Sequence, residues 1–184
     1  MAELNWMVFC ERAVVDSSSN SLSLMNILEE VHMVRPSAEQ IKAAAGRRIA
    51  VPLACTVVTN WERSDPTRAE GSAKVMLRLV DPKGKALIES TLLLDLGKAS
   101  RARLFVNLQA MPAETEGTYI WRVHLHGKKR WQPVGEVSYL FEYVESVADV
   151  ERLQKAARRS AARFADDPNL QTRIAGREKK KLKS

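Results

Sequence analysis

Alternation of apolar and polar residues, repeated in short runs along most of the chain, restricts the fold more than any other feature. In the run 117–125 the large apolar residues occupy every second position: Tyr119, Trp121, Val123 and Leu125. Because successive side chains of a strand point to opposite faces of a sheet, such a run predicts a strand with one buried face. Turn residues separate the runs, and no helix-length segment lies between them, which argues against a parallel α/β sheet.

The pattern predicts a mainly β fold, an antiparallel β-sandwich of about eight strands with a short inserted helix and a C-terminal basic helix. The eight predicted strands are 5–15, 21–34, 49–61, 72–80, 86–94, 102–108, 117–125 and 134–144. The inserted helix is expected after Pro36, because Ser37 and Gln40 have the spacing of a capping box and Gly46 is placed to end the helix.

Two polar stretches predict turns between strands. The stretch DSSSNS, residues 16–21, consists of residues that hydrogen-bond their own backbone and favour turns. It contains no glycine and no lysine follows it, so a hairpin connection is favoured over a phosphate-binding loop. The stretch DPKG, residues 81–84, has the residue order of a tight turn.

The positive charge of the chain is confined to its C-terminal part. Residues 1–150 hold 18 Lys and Arg and 18 Asp and Glu, whereas residues 151–184 hold 11 and 4 and therefore carry the whole formal net charge of +7. We expect three parts: a β-sandwich domain over 1–145, an amphipathic basic helix over 146–167, and a flexible Lys-rich tail over 168–184. The helix begins at a second capping box, Ser146 with Asp149, and ends before Pro168.

The C-terminal part is the candidate site for polyanions. A cationic segment binds nucleic acid by releasing counterions from phosphates, without reading sequence. The candidate polyanion-binding residues are Arg152, Lys155, Arg159, Arg163, Lys179, Lys180, Lys181 and Lys183. Two alternatives stay open at this point: the apolar stripe of the helix packs on the sandwich or on a second copy, or the lysines only keep the protein soluble.

The remaining composition excludes several classes. No stretch approaches the length of a membrane span, and the N-terminus has no basic region before its short apolar run, so a cytoplasmic protein without membrane contact is expected. The two cysteines, Cys10 and Cys55, lie inside apolar strands and are expected to be reduced and buried.

Catalytic and cofactor motifs are not found in the sequence. Neither cysteine has a histidine near it in sequence, the eight glycines are scattered, and no nucleophile motif occurs, so we predict no enzyme, cofactor or metal. The exception is a metal site at His124 and His126, because these residues share a face of a strand, as two metal ligands would. Three cationic residues, Lys128, Lys129 and Arg130, follow where an acidic ligand would be needed.

Four segments of the sequence resemble those of a known protein family. They are FCERAVVD, NSLSLMNILEEV, LRLVDPKGKAL and EGTYIWRVHLHGK. Together they resemble an uncharacterised family of small bacterial β-sandwich proteins, a domain of unknown function, over roughly residues 5–145. The resemblance implies the sandwich fold and implies no activity or catalytic residue.

Two functions follow from these patterns. The first is a non-enzymatic binding or assembly module whose sandwich recognises a protein partner or a second copy, because a sandwich has edge strands that accept another strand. The alternative is weak, sequence-independent binding of nucleic acid by the basic C-terminal segment.

Overall fold

The computed structural model describes residues 2–43, 50–65, 71–97, 99–112, 115–127, 129–153, 155 and 156. The chain forms two compact units, residues 1–143 and residues 144–184. The first unit is built of strands with one short helix, α1, Ala38–Ala43. In the second unit residues 147–153, 155 and 156 are helical.

Four strands form the first sheet, in the spatial order β2-β1-β5-β8. Their bounds are β1 Ala2–Val15, β2 Leu22–Ile27, β5 Cys55–Arg63 and β8 Arg101–Leu108. β1 pairs with both β2 and β5, and β5 pairs with β8, all antiparallel. The edges of this sheet are therefore β2 and β8.

Five strands form the second sheet, in the order β3-β11-β10-β6-β7. Their bounds are β3 Glu30–Val34, β6 Ser72–Val80, β7 Ala86–Asp95, β10 Gly117–His126 and β11 Trp131–Val144. A separate two-stranded pair consists of β4 Ala50–Val51 and β9 Met111–Pro112. Every pair whose register is described is antiparallel, so the prediction of a mainly β sandwich is confirmed at that level.

The two sheets face each other across one hydrophobic core. Phe9 of the first sheet and Tyr139 of the second have ring centroids 4.9 Å apart, and Tyr139 stacks on Tyr119 at 5.4 Å. Trp61 and Trp121 are fully buried in the same cluster. The alternating residues of the sequence pattern therefore form the inner faces, as the period of two requires.

Two predicted strands are each divided in the structure. The run 21–34 gives β2 in the first sheet and β3 in the second, and the left-handed φ of 51° at Asn26 precedes the crossing between them. The run 49–61 gives β4 and β5, with Pro52 between them. Proline lacks the backbone N–H that a ladder needs, which explains the second interruption.

The predicted turns and caps are found. Asp16 N donates to Ser21 O, which closes the β1–β2 hairpin, and Asp16 Oδ1 accepts hydrogen bonds from Ser18 N at 2.8 Å and Ser18 Oγ at 2.6 Å. In the β6–β7 turn Gly84 has a φ of 83°, a conformation that glycine adopts without a steric penalty.

The first capping box has both of its hydrogen bonds, and the second has the bond to the N-cap side chain. Ser37 N donates to Gln40 Oε1 and Gln40 N to Ser37 Oγ at the start of α1, and Asp149 N donates to Ser146 Oγ in the second unit. Gly46 lies outside the described residues. No helix in the described part of the chain is both long enough and apolar enough to cross a membrane.

The β1–β2 hairpin folds back over the outer face of the first sheet. Arg103 of β8 donates from Nη1 to the backbone O of Asn20, at the hairpin tip, at 3.1 Å. Arg103 faces Asn60 of β5, which in turn faces Trp6 of β1. The pairing of β1 with β5 ends at Cys10, so the hairpin begins beyond that point, and its tip can reach Arg103 only by turning back over the sheet. Cys10 and Val58 are fully buried and lie outside the inter-sheet core, which this cover explains.

The outer face of the second sheet is covered by charged side chains of its own. Four residues at facing positions form a row across four strands: Glu89, Arg78, Arg122 and Glu136. Arg78 donates from Nε to Glu89 Oε2 at 2.9 Å, and Arg122 donates from Nε to Glu136 Oε2 at 3.2 Å. Long arginine stems cover apolar surface while their charged ends stay in water.

Candidate functional site

The structure describes two of the eight candidate polyanion-binding residues. Arg152 and Lys155 are exposed on the C-terminal helix, and Arg152 forms an ion pair with Asp149 at 3.0 Å. Arg159, Arg163, Lys179, Lys180, Lys181 and Lys183 lie outside the described residues. The structure therefore does not bring these cations together into one described surface.

His124 and His126 share the outer face of β10, as the alternation predicts. The ring of His126 contacts Trp131 edge to face with centroids 4.9 Å apart. His124 faces Met76 on β6 and Pro133 on β11, and its Nδ1 is buried without a hydrogen-bond partner among the described residues. No cluster of three His, Cys, Asp or Glu side chains suited to a metal occurs in that part of the chain.

The electrostatic surroundings of His124 disfavour its charged form. Burial, and then the neighbouring guanidinium groups of Arg78 and Arg122, lower the pKa of His124 below 6.5, and Glu89 opposes this to a smaller degree. A neutral imidazole is the form that binds metals, but the guanidinium groups of Arg78 and Arg122 beside it repel a divalent cation. The surrounding open depression, of about 420 Å³, is lined by Arg122, His124, Pro133, Gly135 and Glu136.

The two cysteines are buried thiols on opposite faces of the first sheet. Cys10 Sγ donates to Thr56 O on the outer face, and Cys55 belongs to the inter-sheet core. Both are free, as expected. Burial is the main cause that raises the pKa of both thiols, in Cys55 to about 12, so neither forms a thiolate readily. A nucleophile needs the thiolate, so neither thiol has the properties of a catalytic group.

The four edges of the two larger sheets differ in how they are protected against another strand. Natural sheets protect an edge with charged residues, proline or short strands. β3 carries Glu30 and is short, β7 carries Glu89 and Asp95, and β8 carries Arg101 and Arg103. β2, with the sequence LSLMNI, contains no charged residue. Within the described part of the chain no strand pairs with its outer side.

β2 also exposes two large apolar side chains at alternate positions. Met25 is 47% exposed and Ile27 is 60% exposed. Met25 faces Arg12 and Ile27 faces Cys10 on β1, and the left-handed Asn26 lies between them. Next to them, Asn26 Nδ2 donates to Glu11 Oε2 at 2.6 Å, which ties the end of β2 to β1. The edge of β2 therefore combines open backbone groups with an apolar surface.

Met25 and Ile27 were not among the residues that the sequence pattern singled out. The signal was present as a charge-free stretch, SLSLMNIL over 21–28, between a polar turn and Glu29. Its meaning depends on whether the strand lies in the middle or at the edge of a sheet. That position is set by pairing with β1, which the sequence alone does not give.

Comparison with known proteins adds little beyond this geometry. No protein-family model and no curated protein matches the sequence. Among solved structures, the chain is similar to an immunoglobulin-like protein from Pseudomonas aeruginosa, with 12% sequence identity and a TM-score of 0.36. The match covers 77% of this chain and 97% of the other. The fold described above rests on the strands and pairings of this chain.

Proposed function

We propose that the protein is a non-enzymatic binding module that recognises an extended segment of a protein partner along β2. The observation that supports this proposal is a combination that, among the four described edges of the two larger sheets, is found at β2: no charged residue, and Met25 and Ile27 exposed two positions apart. An extended segment that adds to an edge gains main-chain hydrogen bonds, and pockets for alternate side chains give specificity.

The chemistry of the partner follows from the surface of β2. A segment laid along this edge meets apolar side chains at every second position, so we expect it to carry aliphatic or aromatic residues with the same spacing. A partner segment with proline at alternate positions would lack the required N–H donors. A second copy of this chain, paired β2 to β2, is the other occupant with this chemistry.

The described thiols and His124 have properties that fit a non-enzymatic role. The thiols of Cys10 and Cys55 are buried and their pKa values are raised. His124, whose pKa is lowered, faces arginines and Met76. Within the described residues these groups form no nucleophile and base pair of the kind that acyl transfer requires.

Substitution of Ile27 tests the proposal in the full-length protein. Ile27→Lys places a charge on the open edge, and because Ile27 is exposed the stability should change by no more than about 0.5 kcal/mol. Leu93→Lys is the matched control, because Leu93 is 63% exposed on the charged edge β7. We expect Ile27→Lys to weaken binding of the captured partner by about tenfold or more, and Leu93→Lys to leave it unchanged.

The readouts are quantitative capture from a lysate and light scattering. A partner retained by wild type and Leu93→Lys but lost by Ile27→Lys supports the proposal. A dimer that Ile27→Lys converts to a monomer identifies the partner as a second copy. A monomeric wild type that captures nothing, or a partner that Ile27→Lys retains, contradicts the proposal.

The charge distribution supports a second candidate function. All of the net charge of +7 lies in residues 151–184, so the basic C-terminal segment is the part with affinity for nucleic acid. If it contacts about five phosphates of duplex DNA, log affinity should fall with log salt at a slope of about −4.5. A chain that ends at Val150 should lose this binding. Equal binding by the shortened chain would contradict this function.

The family resemblance belongs with these proposals. We propose that residues 5–145 are a member of the uncharacterised bacterial β-sandwich family whose motifs they resemble, and that the protein is cytoplasmic. Reduced, buried Cys10 and Cys55 support that compartment, since cytosolic thiols remain reduced.

A further inference from the structure

We propose a second binding site, for a small organic anion, in the depression between the tip of the β1–β2 hairpin and the outer face of the first sheet. The ligand class is a phosphate or carboxylate group attached to a flat ring. The depression has a volume of about 490 Å³ and is lined by Trp6, Val15, Asn20, Asn60, Arg101, Ala102 and Arg103. This site is separate from the partner edge at β2 and does not depend on that function.

The floor of the depression is a row of three side chains on adjacent strands. Trp6 of β1 faces Asn60 of β5, and Asn60 faces Arg103 of β8. Facing residues lie on the same face of a sheet, and neighbouring strands are about 4.8 Å apart, so the three groups lie next to one another. Arg101, two residues from Arg103 along β8, is on the same face. An indole, an amide and two guanidinium groups thus line one depression.

The guanidinium group of Arg103 carries the positive charge of this row. Arg103 donates from Nη1 to two uncharged acceptors, the backbone O of Asn20 at 3.1 Å and Asn20 Oδ1 at 3.3 Å, and forms no ion pair in the described part of the chain. Arg101 Nε lies 3.6 Å from Glu62 Oε2. With Asp16 of the roof included, two guanidinium groups are matched by two carboxylates, Glu62 and Asp16, and the guanidinium of Arg103 is the one that forms no ion pair in the described part of the chain.

The roof of the depression is held by hydrogen bonds within the protein. Asn20 has a left-handed φ of 54°, and Arg103 holds it from below. Asp16 accepts hydrogen bonds from Ser18 and from Ser19 N, and these bonds lower the pKa of Asp16 to about 2. The carboxylate of Asp16 is therefore charged at neutral pH and keeps its hydrogen bonds to the turn. A site whose walls are already in place loses less entropy on binding.

The donors determine the ligand chemistry. Guanidinium groups bind carboxylate and phosphate oxygens through paired hydrogen bonds. The volume of the depression, about 490 Å³, falls within the range of roughly 300–1,000 Å³ found for small-molecule sites. The indole of Trp6 provides an apolar wall for a flat ring beside the anionic group. The anion is bound by side chains of β8 and β5, and not by the backbone of the polar turn.

The test uses the full-length protein at low salt, with phenyl phosphate, benzoate and inorganic phosphate as probes. Two-dimensional NMR follows the Trp6 indole N–H and the side-chain amides of Asn20 and Asn60. We expect phenyl phosphate and benzoate to shift these signals, and inorganic phosphate to bind more weakly because it has no ring. The two ring-bearing probes distinguish a phosphate site from a carboxylate site.

Arg101→Gln is the informative variant, because Arg101 is 75% exposed and does not hold the hairpin tip. We expect it to weaken binding of the preferred probe by about tenfold, the loss of one charge-assisted hydrogen bond. Arg130→Gln removes the same charge from the exposed β10–β11 turn and should leave binding unchanged.

Two results would overturn the proposal. One is the lack of any shift in the three signals with each probe at about 10 mM, a concentration that saturates sites of millimolar affinity. The other is equal weakening by Arg101→Gln and Arg130→Gln, which would show that the probes respond only to net charge. Arg103→Gln provides a second variant, and we expect it to weaken binding at least as much as Arg101→Gln does.

Discussion

The outer faces of the two sheets are covered in different ways. On the first sheet a segment of the same chain, the β1–β2 hairpin, turns back to Arg103, and Cys10 and Val58 on this face are fully buried. On the second sheet the row Glu89, Arg78, Arg122 and Glu136 covers the surface with long charged side chains. The first solution makes a small second core and leaves a depression at its margin. The second makes a solvated face whose charges balance.

The comparison shows why the candidate sites are on the first sheet. The hairpin that covers the outer face also makes β2 the edge of the sheet, and its tip forms the roof of the depression at Trp6. On the second sheet each arginine of the row is paired with a glutamate, so little unbalanced charge is left for a ligand. A chain segment that folds over a sheet leaves a cleft at its margin, whereas charged side chains that lie on a sheet fill the space between them.

The largest expected effect is a difference in the free energy of unfolding between substitutions on the two outer faces. Val58→Asp places a carboxylate in the dry space under the hairpin and should reduce the free energy of unfolding by about 3–5 kcal/mol. Thr91→Asp, on the exposed outer face of the second sheet, should change it by no more than about 0.5 kcal/mol. Urea denaturation measures both. Similar small effects would show that the hairpin does not exclude water from Val58.

The next effect concerns the order in which the two cores open. Cys10 lies under the hairpin and Cys55 in the inter-sheet core, so opening of the hairpin alone should expose only Cys10. The rate of thiol labelling is measured in two variants, Cys55→Ala, which keeps Cys10, and Cys10→Ala, which keeps Cys55. In urea below the midpoint of global unfolding, and after correction for the labelling rates in the unfolded state, we expect Cys10 to react about tenfold faster than Cys55. Equal rates would mean that the hairpin and the sandwich unfold together.

A smaller effect is expected for the ion pairs of the second sheet. Arg78 Nη2 lies 2.7 Å from Glu89 Oε2, and both side chains are partly exposed. A double-mutant cycle with Arg78→Ala and Glu89→Ala should give a coupling free energy of about 0.2–1 kcal/mol, decreasing at high salt because water and ions screen the pair. A coupling that does not depend on salt would show that the face is drier than its exposure indicates.

The smallest effect is on the protonation of His124. Arg78→Gln removes one of the two cations that lower its pKa, so the pKa should rise toward 6.5 without reaching it, because burial is the larger cause. Lys129→Gln is the control and should have no effect. NMR titration of the imidazole measures the change, and a pKa unaltered by Arg78→Gln would contradict the cause given.

The lowered pKa of His124 also determines the direction in which stability changes with pH. The folded protein holds His124 with a pKa below the 6.5 of the unfolded chain, so the unfolded chain binds the proton more readily. The contribution of His124 is therefore present above pH 6.5 and is lost as the pH falls through its folded pKa. His124→Gln should flatten this part of the stability curve, and an unchanged curve would assign the dependence to another group.

The inner faces and the turns could be predicted from sequence because neighbouring residues determine them. Tyr119, Trp121 and Val123 are buried as their alternation indicates, and Asp81 to Gly84 form the expected turn. The run 21–34 is predicted to be one strand, because the shift of its apolar pattern after Leu24 indicates a bulge within a strand and not a passage from one sheet to the other. The left-handed Asn26 is the local signal, and asparagine adopts that conformation only in some contexts.

By itself, the sequence determined which segments are strands, which face of each is apolar and where the charge lies, because periodicity, turn chemistry and charge are properties of residues close together in the chain. Only the tertiary structure decided that β2 is an edge, that Val58 is buried on the outer face, and that Asn20 meets Arg103. These depend on pairing between segments far apart in sequence. The polar turn could be recognised from six residues, but its position over Trp6 and Arg103 could not.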